Sequence, residues 1–193
     1  MSEKSLDAAY FEGIFASDDD PWDLASSAYE RAKFDRTIAA LGDRRYHRAI
    51  EIGCAHGVLT HRLLALCDTL LALDISAAAL DKARSRLGNP PGLTLRQMAF
   101  PREAPGADGF DLALLSEVAY YWSVADLQRA AQWLAAHVTP GGHILLVHYI
   151  GATDYPQTGD GTVLILKDAL REVIAEEASE RHARYRLDLW RRR

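Results

Sequence analysis

An α/β fold with a doubly wound, mostly parallel sheet is what this 193-residue sequence predicts, on three observations. Short, nearly continuous apolar runs recur at residues 49–52, 70–73, 112–115 and 144–147, as expected of parallel strands covered on both faces. Helix-like segments fill the intervals, and that alternation is the pattern of a parallel sheet wrapped by helices. A glycine turn, Gly53-Cys54-Ala55-His56-Gly57, joins the first run to the first of those helices.

Taken in order, residues 1–45 predict an N-terminal helical cap. Tyr10, Phe11, Ile14 and Phe15 are apolar anchors ahead of the acidic run Asp18-Asp19-Asp20 and of Pro21-Trp22. After Ser26-Ser27 a helix carries Tyr29, Phe34, Ile38 and Leu41 on one side. The core, 46–193, opens with the 49–52 strand and a helix over 58–67. Asp74 closes the 70–73 strand, Ser76 caps a helix over 77–87, and Leu93-Thr94-Leu95 is a weaker strand. Ser123-Val124-Ala125-Asp126 resembles a capping box opening a helix to residue 138, and Thr139-Pro140-Gly141-Gly142 predicts a turn. Residues 152–162 read as a polar loop, 163–177 as a helix, and 183–190 as an alternating strand, antiparallel at the sheet edge.

At 49% hydrophobic residues the chain buries one full core, which predicts a single domain over 1–193. A net charge of −5 gives no reason to expect a nucleic-acid partner. The closing Arg191-Arg192-Arg193 is a solvated end rather than a binding patch. The opening residues lack the apolar run of a signal peptide, and no segment is long enough to span a bilayer. Cys54 and Cys67 make no disulfide framework, so a reduced, cytoplasmic enzyme is expected.

The chemistry is concentrated at the glycine turn. Glycine takes positive φ and lets backbone N–H groups approach a ligand closely. A nicotinamide dinucleotide fingerprint is G-x-G-x-x-G, whereas the spacing here is Glu51-x-Gly53-x-x-x-Gly57. Asp74 lies about twenty residues on, where a nucleotide fold supplies a carboxylate to both ribose hydroxyls. The pair resembles the first motifs of Rossmann-like methyltransferases that bind S-adenosylmethionine, with Cys54 and Ala55 in the loop beside the ligand's amino-acid part.

Longer stretches resemble the S-adenosylmethionine-dependent methyltransferases related to nodulation protein S, N-methyltransferases of chitooligosaccharide signals. They are residues 15–22 (FASDDDPW), Tyr29-Glu30-Arg31, Glu51-Ile52-Gly53-Cys54, Asp74 and Phe110-Asp111-Leu112. Ser116-Glu117-Val118-Ala119-Tyr120-Tyr121 and Pro140-Gly141-Gly142-His143 complete the set. The resemblance implies a class I, Rossmann-like fold of seven strands, one of them antiparallel. It also implies S-adenosylmethionine across the C-terminal ends of the first strands, with Ser116, Glu117 and Val118 beside it. One departure stands out: Ala99 falls where many such enzymes place an acid near adenine. Adenine is then expected on backbone groups and the apolar surfaces of Ile75 and Met98, and the acceptor need not be a chitooligosaccharide.

Methyl transfer from a sulfonium asks the protein to align two groups and exclude water, and to free the acceptor of a proton. Candidates lie beyond the strand ends, where open α/β sheets bind ligands. Glu117, Tyr120, Tyr121 and Trp122 follow the third strand, and their ring faces suit a sulfonium or sugar pocket. His148 ends the fourth strand as a candidate base, with Tyr149 beside it and Asp154, Tyr155, Thr158 and Asp160 in the loop behind. Arg31 and Lys33 are expected to meet the donor's carboxylate, and Trp22 and Tyr29 to close over its methionine portion. His56 reads as a spacer. The pairs His56/His61 and His143/His148 are five apart, on one face of neither helix nor strand, so no metal site is expected. The leading expectation is N-methylation of an amino sugar or similar small polar metabolite. The alternatives are a small-molecule O-methyltransferase, a nicotinamide oxidoreductase and a catalytically silent binding protein.

Overall fold

The computed structural model describes residues 4–106 and 108–193. It contains a seven-stranded sheet in the order β3-β2-β1-β4-β5-β7-β6, where the strands are, in chain order, Tyr46–Ile52, Cys67–Asp74, Leu93–Gln97, Phe110–Ser116, Val138–Tyr149, Ile174–Arg181 and Tyr185–Arg192. The chain forms two compact units, Asp7–Ala99 and Phe100–Arg193, the latter with residues 4–6.

In the Asp7–Ala99 unit, α1 (Ala8–Ser17) begins where the Asp7 side chain accepts the Tyr10 N–H, and it buries Phe11 and Phe15. Helix α2 (Ala28–Ala40) is capped by Ser27. Strand β2 runs parallel between β1 and β3, with Ile50 opposite Leu71 and Asp74 opposite Gln97. Helix α3 spans Val58–Leu63, so the expected helix over 58–67 is too long. The Leu66 N–H turns back to Leu63 O, the Tyr46 N–H takes Leu66 O, and Cys67 opens β2 instead. Helix α4 (Ala77–Leu87) starts on Ser76, whose hydroxyl accepts the Ala79 N–H at 3.1 Å.

In the second unit, β4 and β5 are parallel, and α5 (Val124–His137) follows Ser123 as the capping box predicts. Thr139-Pro140-Gly141-Gly142 does not end the chain's extension. These residues belong to β5, where a step from Phe110 to Leu112 is matched by a step from Val138 to His143. The extra residues are absorbed as a bulge, which gives proline and glycine a place inside a strand. Helix α6 starts at Gly159, earlier than expected, because Thr158 caps it, and it ends at Leu170. Residues 174–177 are therefore not helical. They open β6, which pairs antiparallel with β7. The last strand, β7, is antiparallel as expected, but β6 takes the edge and β7 lies one place inside it. Among the described residues no helix is long and apolar enough to cross a membrane.

Candidate active site

The glycine turn is built from alternating positive-φ residues: Gly53 at 81°, Ala55 at 50° and Gly57 at 82°. Its N–H groups point inward rather than outward as the sequence suggested. Those of Gly53 and Cys54 donate to Leu73 O at 2.8 and 2.9 Å, and that of Gly57 to Cys54 O at 3.0 Å. The Ala55 N–H donates to Asp74 Oδ2 at 2.8 Å, while Asp74 Oδ1 accepts the Ser76 N–H at 2.9 Å. The strand-end acid thus clips the glycine turn of one strand to the helix entrance of the next. Each of its oxygens keeps a lone pair for a further donor. Burial pushes the Asp74 carboxyl up to about 6, although the N–H groups of Ser76, Ala55 and Ile75 favour its charge. Glu51 is buried on the adjacent strand with Thr60 Oγ1 donating to it at 2.6 Å, and burial raises it to about 7. The Cys54 thiol is buried and raised well above its ordinary value, which makes it inert packing.

Two side chains of the N-terminal segment hold this region: Glu12, which the sequence did not single out, and Asp20, which it gave only as part of an acidic run. Glu12 of α1 accepts the N–H groups of Ala77 and Ala78 at 2.5 and 3.1 Å and the Ser76 hydroxyl at 3.1 Å. It is a second cap on α4, immediately after Asp74. Asp20 accepts the N–H groups of Ala25 and Ser26 and lies 3.0 Å from His56 Nε2 in the glycine turn, a contact without hydrogen-bond alignment. His56 is more than a spacer: it is buried beside Phe15, and burial with the nearby Arg86 depresses its pKa. No local pattern marks either contact, since the partners are 65 and 36 residues apart in sequence.

Trp22 follows at φ 63°, 43% exposed, its ring edge against Phe15. Lys33 is buried and paired with Glu30 at 2.7 Å, its ammonium also 5.4 Å from the Tyr29 ring. Arg31 lies exposed on the surface of α2. Of the two expected cations, then, one is held inside its own helix and the other faces solvent. Beyond β3, the Met98 N–H donates to Asp74 O at 2.9 Å, and Met98, Ile75 and Ala99 are all half-buried near that strand end.

A second cluster occupies the Phe100–Arg193 unit beyond β4 and β5. Ser116 ends β4, and Glu117 follows with φ 54°, an uncommon conformation for a residue with a side chain. Its Oε2 accepts the Tyr120 hydroxyl at 2.8 Å and the Tyr149 N–H at 2.7 Å. Val118 leads into a single helical turn, Ala119–Tyr121. Burial and the neighbouring Glu117 raise Tyr120 well above its ordinary pKa, and burial with Tyr155 does the same for Tyr121, so both phenols stay neutral. Tyr155 stacks on Tyr120, with centroids 5.3 Å apart and planes 13° from parallel, and meets Tyr121 edge-on at 4.7 Å. His148 is wholly buried, and its Nε2 accepts the Ala119 N–H at 3.3 Å. That bond makes Nε2 the unprotonated nitrogen and sets His148 to hold the turn that carries the tyrosines. Of the remaining loop candidates, Asp154 is exposed, Thr158 caps α6, and Asp160 pairs with Arg181 and Arg186. Among the described residues no group of three His, Cys, Asp or Glu side chains converges as metal ligands do.

A family model described as nodulation protein S matches residues 15–147. Nodulation protein S of Rhizobium tropici is 30% identical over 129 residues, covering 66% of this chain and 54% of that protein. An uncharacterised methyltransferase of Mycobacterium tuberculosis is 30% identical over 132 residues, covering 68% of this chain and 62% of its own length. The chain therefore spans between about half and two thirds of the length of these relatives. A solved N-methyltransferase NodS from Bradyrhizobium japonicum, in complex with S-adenosylhomocysteine, superposes with a TM-score of 0.83. It covers 96% of this chain and 97% of its own at 22% identity, a likeness of fold. A Pseudomonas syringae protein described as a methyltransferase superposes at 0.74 with 34% identity, over 86% of this chain and all of that one. The architecture is that of the class I methyltransferases.

Proposed function

This chain belongs to the nodulation protein S family, and from that premise we propose that it is an S-adenosylmethionine-dependent methyltransferase acting on a small polar acceptor, by N-methylation of an amino sugar or related amine. The observation that carries the reading is the Asp74 carboxylate, bonded to the glycine turn through Ala55 and to the α4 entrance through Ser76. Buried acceptors at the end of the second strand, with lone pairs left over, fit the paired hydroxyls of a ribose. Ile75 and Met98, half-buried beyond the strand end, offer apolar surface for a flat base.

S-adenosylmethionine supplies, when bound, a methyl group on positively charged sulfur. This chain's own residues have three tasks. Asp74 is ionised at neutral pH, since its pKa of about 6 lies below 7, and orients the nucleoside. Glu117, fixed by Tyr120 and the Tyr149 N–H, receives the acceptor's proton at Oε2 or its partner oxygen. Tyr120 and Tyr121, neutral and buried, present apolar walls that keep water away while the two groups align. His148 is a positioning residue, because its basic nitrogen already accepts a backbone N–H.

Methyl-labelled S-adenosylmethionine with glucosamine, and in parallel with methyl glucoside, tests the reading. Label on the amine alone is expected. Label on the hydroxyl-only sugar would move the assignment to O-methylation, and binding of neither nucleoside nor acceptor would overturn it.

A further inference from the structure

Five carboxylic acids are buried among the described residues, and their partners divide them into two groups. Glu30 is paired with Lys33 at 2.7 Å, Asp126 with Arg102 and Arg129 at 2.9 and 2.6 Å, and Asp188 with Arg186 at 2.7 Å. Glu51 and Asp74 are held differently. Their partners are the Thr60 hydroxyl for the first and backbone N–H groups of Ala55 and Ser76 for the second. Among the described residues no lysine, arginine or histidine lies within ion-pair distance of either. A buried carboxylate needs a cation or a proton to balance it, because an uncompensated charge away from water is costly.

The two acids end adjacent parallel strands, where Ile52 lies opposite Leu73, and each disfavours charge on its surroundings. The other ionisable groups that face them add no positive charge. Glu12 of α1, which accepts the Ser76 hydroxyl, also disfavours charge on Asp74. The Cys54 thiol of the glycine turn stays neutral, and Arg84 of α4, which acts on that thiol, is tied to Asp81 at 2.7 Å. At pH 7 Asp74 is ionised, and Glu51, with a pKa of about 7, keeps its proton half of the time. That proton stands where the other buried acids have a cation. A cation brought in by a ligand does the same work and displaces it. Donor and product differ in this one respect: the sulfonium carries a positive charge, and the thioether left after transfer carries none.

We infer that Glu51 sets the preference of this site for donor over product: it gives its proton to solvent when the sulfonium binds and takes one back from solvent once the sulfur is neutral. The inference rests on the methyltransferase reading and adds a role for a buried acid that the reaction otherwise leaves unused. Linkage gives its sign. A ligand that binds best to ionised Glu51 gains affinity as pH rises through the acid's titration, relative to a ligand that is indifferent to that charge.

The test is calorimetric titration of S-adenosylmethionine and of S-adenosylhomocysteine at about pH 7, each in phosphate and in Tris. The two buffers take up a proton with different heats, so the pair of titrations counts the protons released. Wild-type protein is expected to release about half a proton more with S-adenosylmethionine than with S-adenosylhomocysteine. Asp74, already ionised there, has little proton to give. The wild-type preference for S-adenosylmethionine is also expected to grow about fivefold between about pH 6 and about pH 8. Glu51→Gln still accepts from Thr60 and cannot ionise, so both differences are expected to collapse in it. Equal proton counts for the two ligands, a preference that does not change with pH, or a Glu51→Gln protein that behaves as the wild type overturns the inference. The wild-type comparison decides the matter even where the variant fails to fold. Heat with both ligands and equal proton counts removes this role of Glu51 and leaves the donor site standing; no heat with either removes the methyltransferase reading, and the inference with it.

Discussion

Glu51 and Asp74 sit on adjacent strands with their carboxyls out of water, and each resists ionisation for that reason first. Folded Glu51 keeps its proton to about pH 7, whereas an exposed glutamate releases it near 4.5. Across that window the folded chain binds more protons than the unfolded one, so stability falls as pH rises through it. Glu51→Gln still accepts from Thr60 and cannot ionise. It is expected to stabilise the protein at about pH 8 by roughly 1–3 kcal/mol and to be near neutral at about pH 4.5, read by thermal unfolding. Equal effects at both pH values would contradict this origin. His148 offers a second test at the same scale. His148→Ala orphans the Ala119 N–H and opens a cavity, so unfolding is expected to become easier by about 2–4 kcal/mol while affinity for S-adenosylhomocysteine stays within about twofold. A large loss of cofactor affinity with stability intact would show that His148 acts otherwise.

Two helix starts were legible from the local device that sets them, whereas the Thr158 cap that starts α6 was not. Ser76 and Ser123 cap α4 and α5 as their sequence neighbourhoods predict. Strand β6 was not legible, because its Ala- and Glu-rich residues favour helix in isolation. Pairing with β7 overrides that preference, and an edge strand with polar side chains on its open face tolerates the composition. The bulge at Thr139–Gly142 was hidden for the converse reason: its residues signal a turn, and only the facing β4 keeps them in a strand. Two substitutions test how the elements around the donor site are held. Gly57→Ala forces a side chain to φ 82° and to within 2.9 Å of Leu87 Cδ1, so a loss of roughly 2–3 kcal/mol in unfolding free energy is expected. A variant as stable as the wild type would mean that α4 gives way easily. Glu12→Ala removes one of two caps on α4 and is expected to cost about 1 kcal/mol, with weaker binding of the nucleoside that Asp74 is proposed to orient. Unchanged unfolding and unchanged affinity would contradict the role of α1 as a clamp.

For the whole molecule, the fold class was readable because alternating strands and helices are a chain-wide pattern that no single residue decides. The Glu51–Gly53–Gly57 spacing and Asp74 were readable for a similar reason, since one turn and one strand end fix them locally. What escaped were the contacts that folding brings together from far apart: Glu12 on α4, Asp20 beside His56, and Tyr155 on Tyr120. The inward turn of the glycine-loop N–H groups also escaped, because it depends on a carbonyl of the next strand. The most direct measurement is a calorimetric titration of S-adenosylhomocysteine into wild-type protein and Asp74→Asn, at about pH 7.5 and about pH 5. Wild type is expected to bind at the higher pH and to weaken about tenfold at the lower, as Asp74 takes up a proton below about 6. Asp74→Asn is expected to bind about tenfold or more weakly and to lose that pH dependence. Wild-type protein that gives no heat, or a variant that binds as tightly as the wild type at both pH values, would contradict the donor site described here.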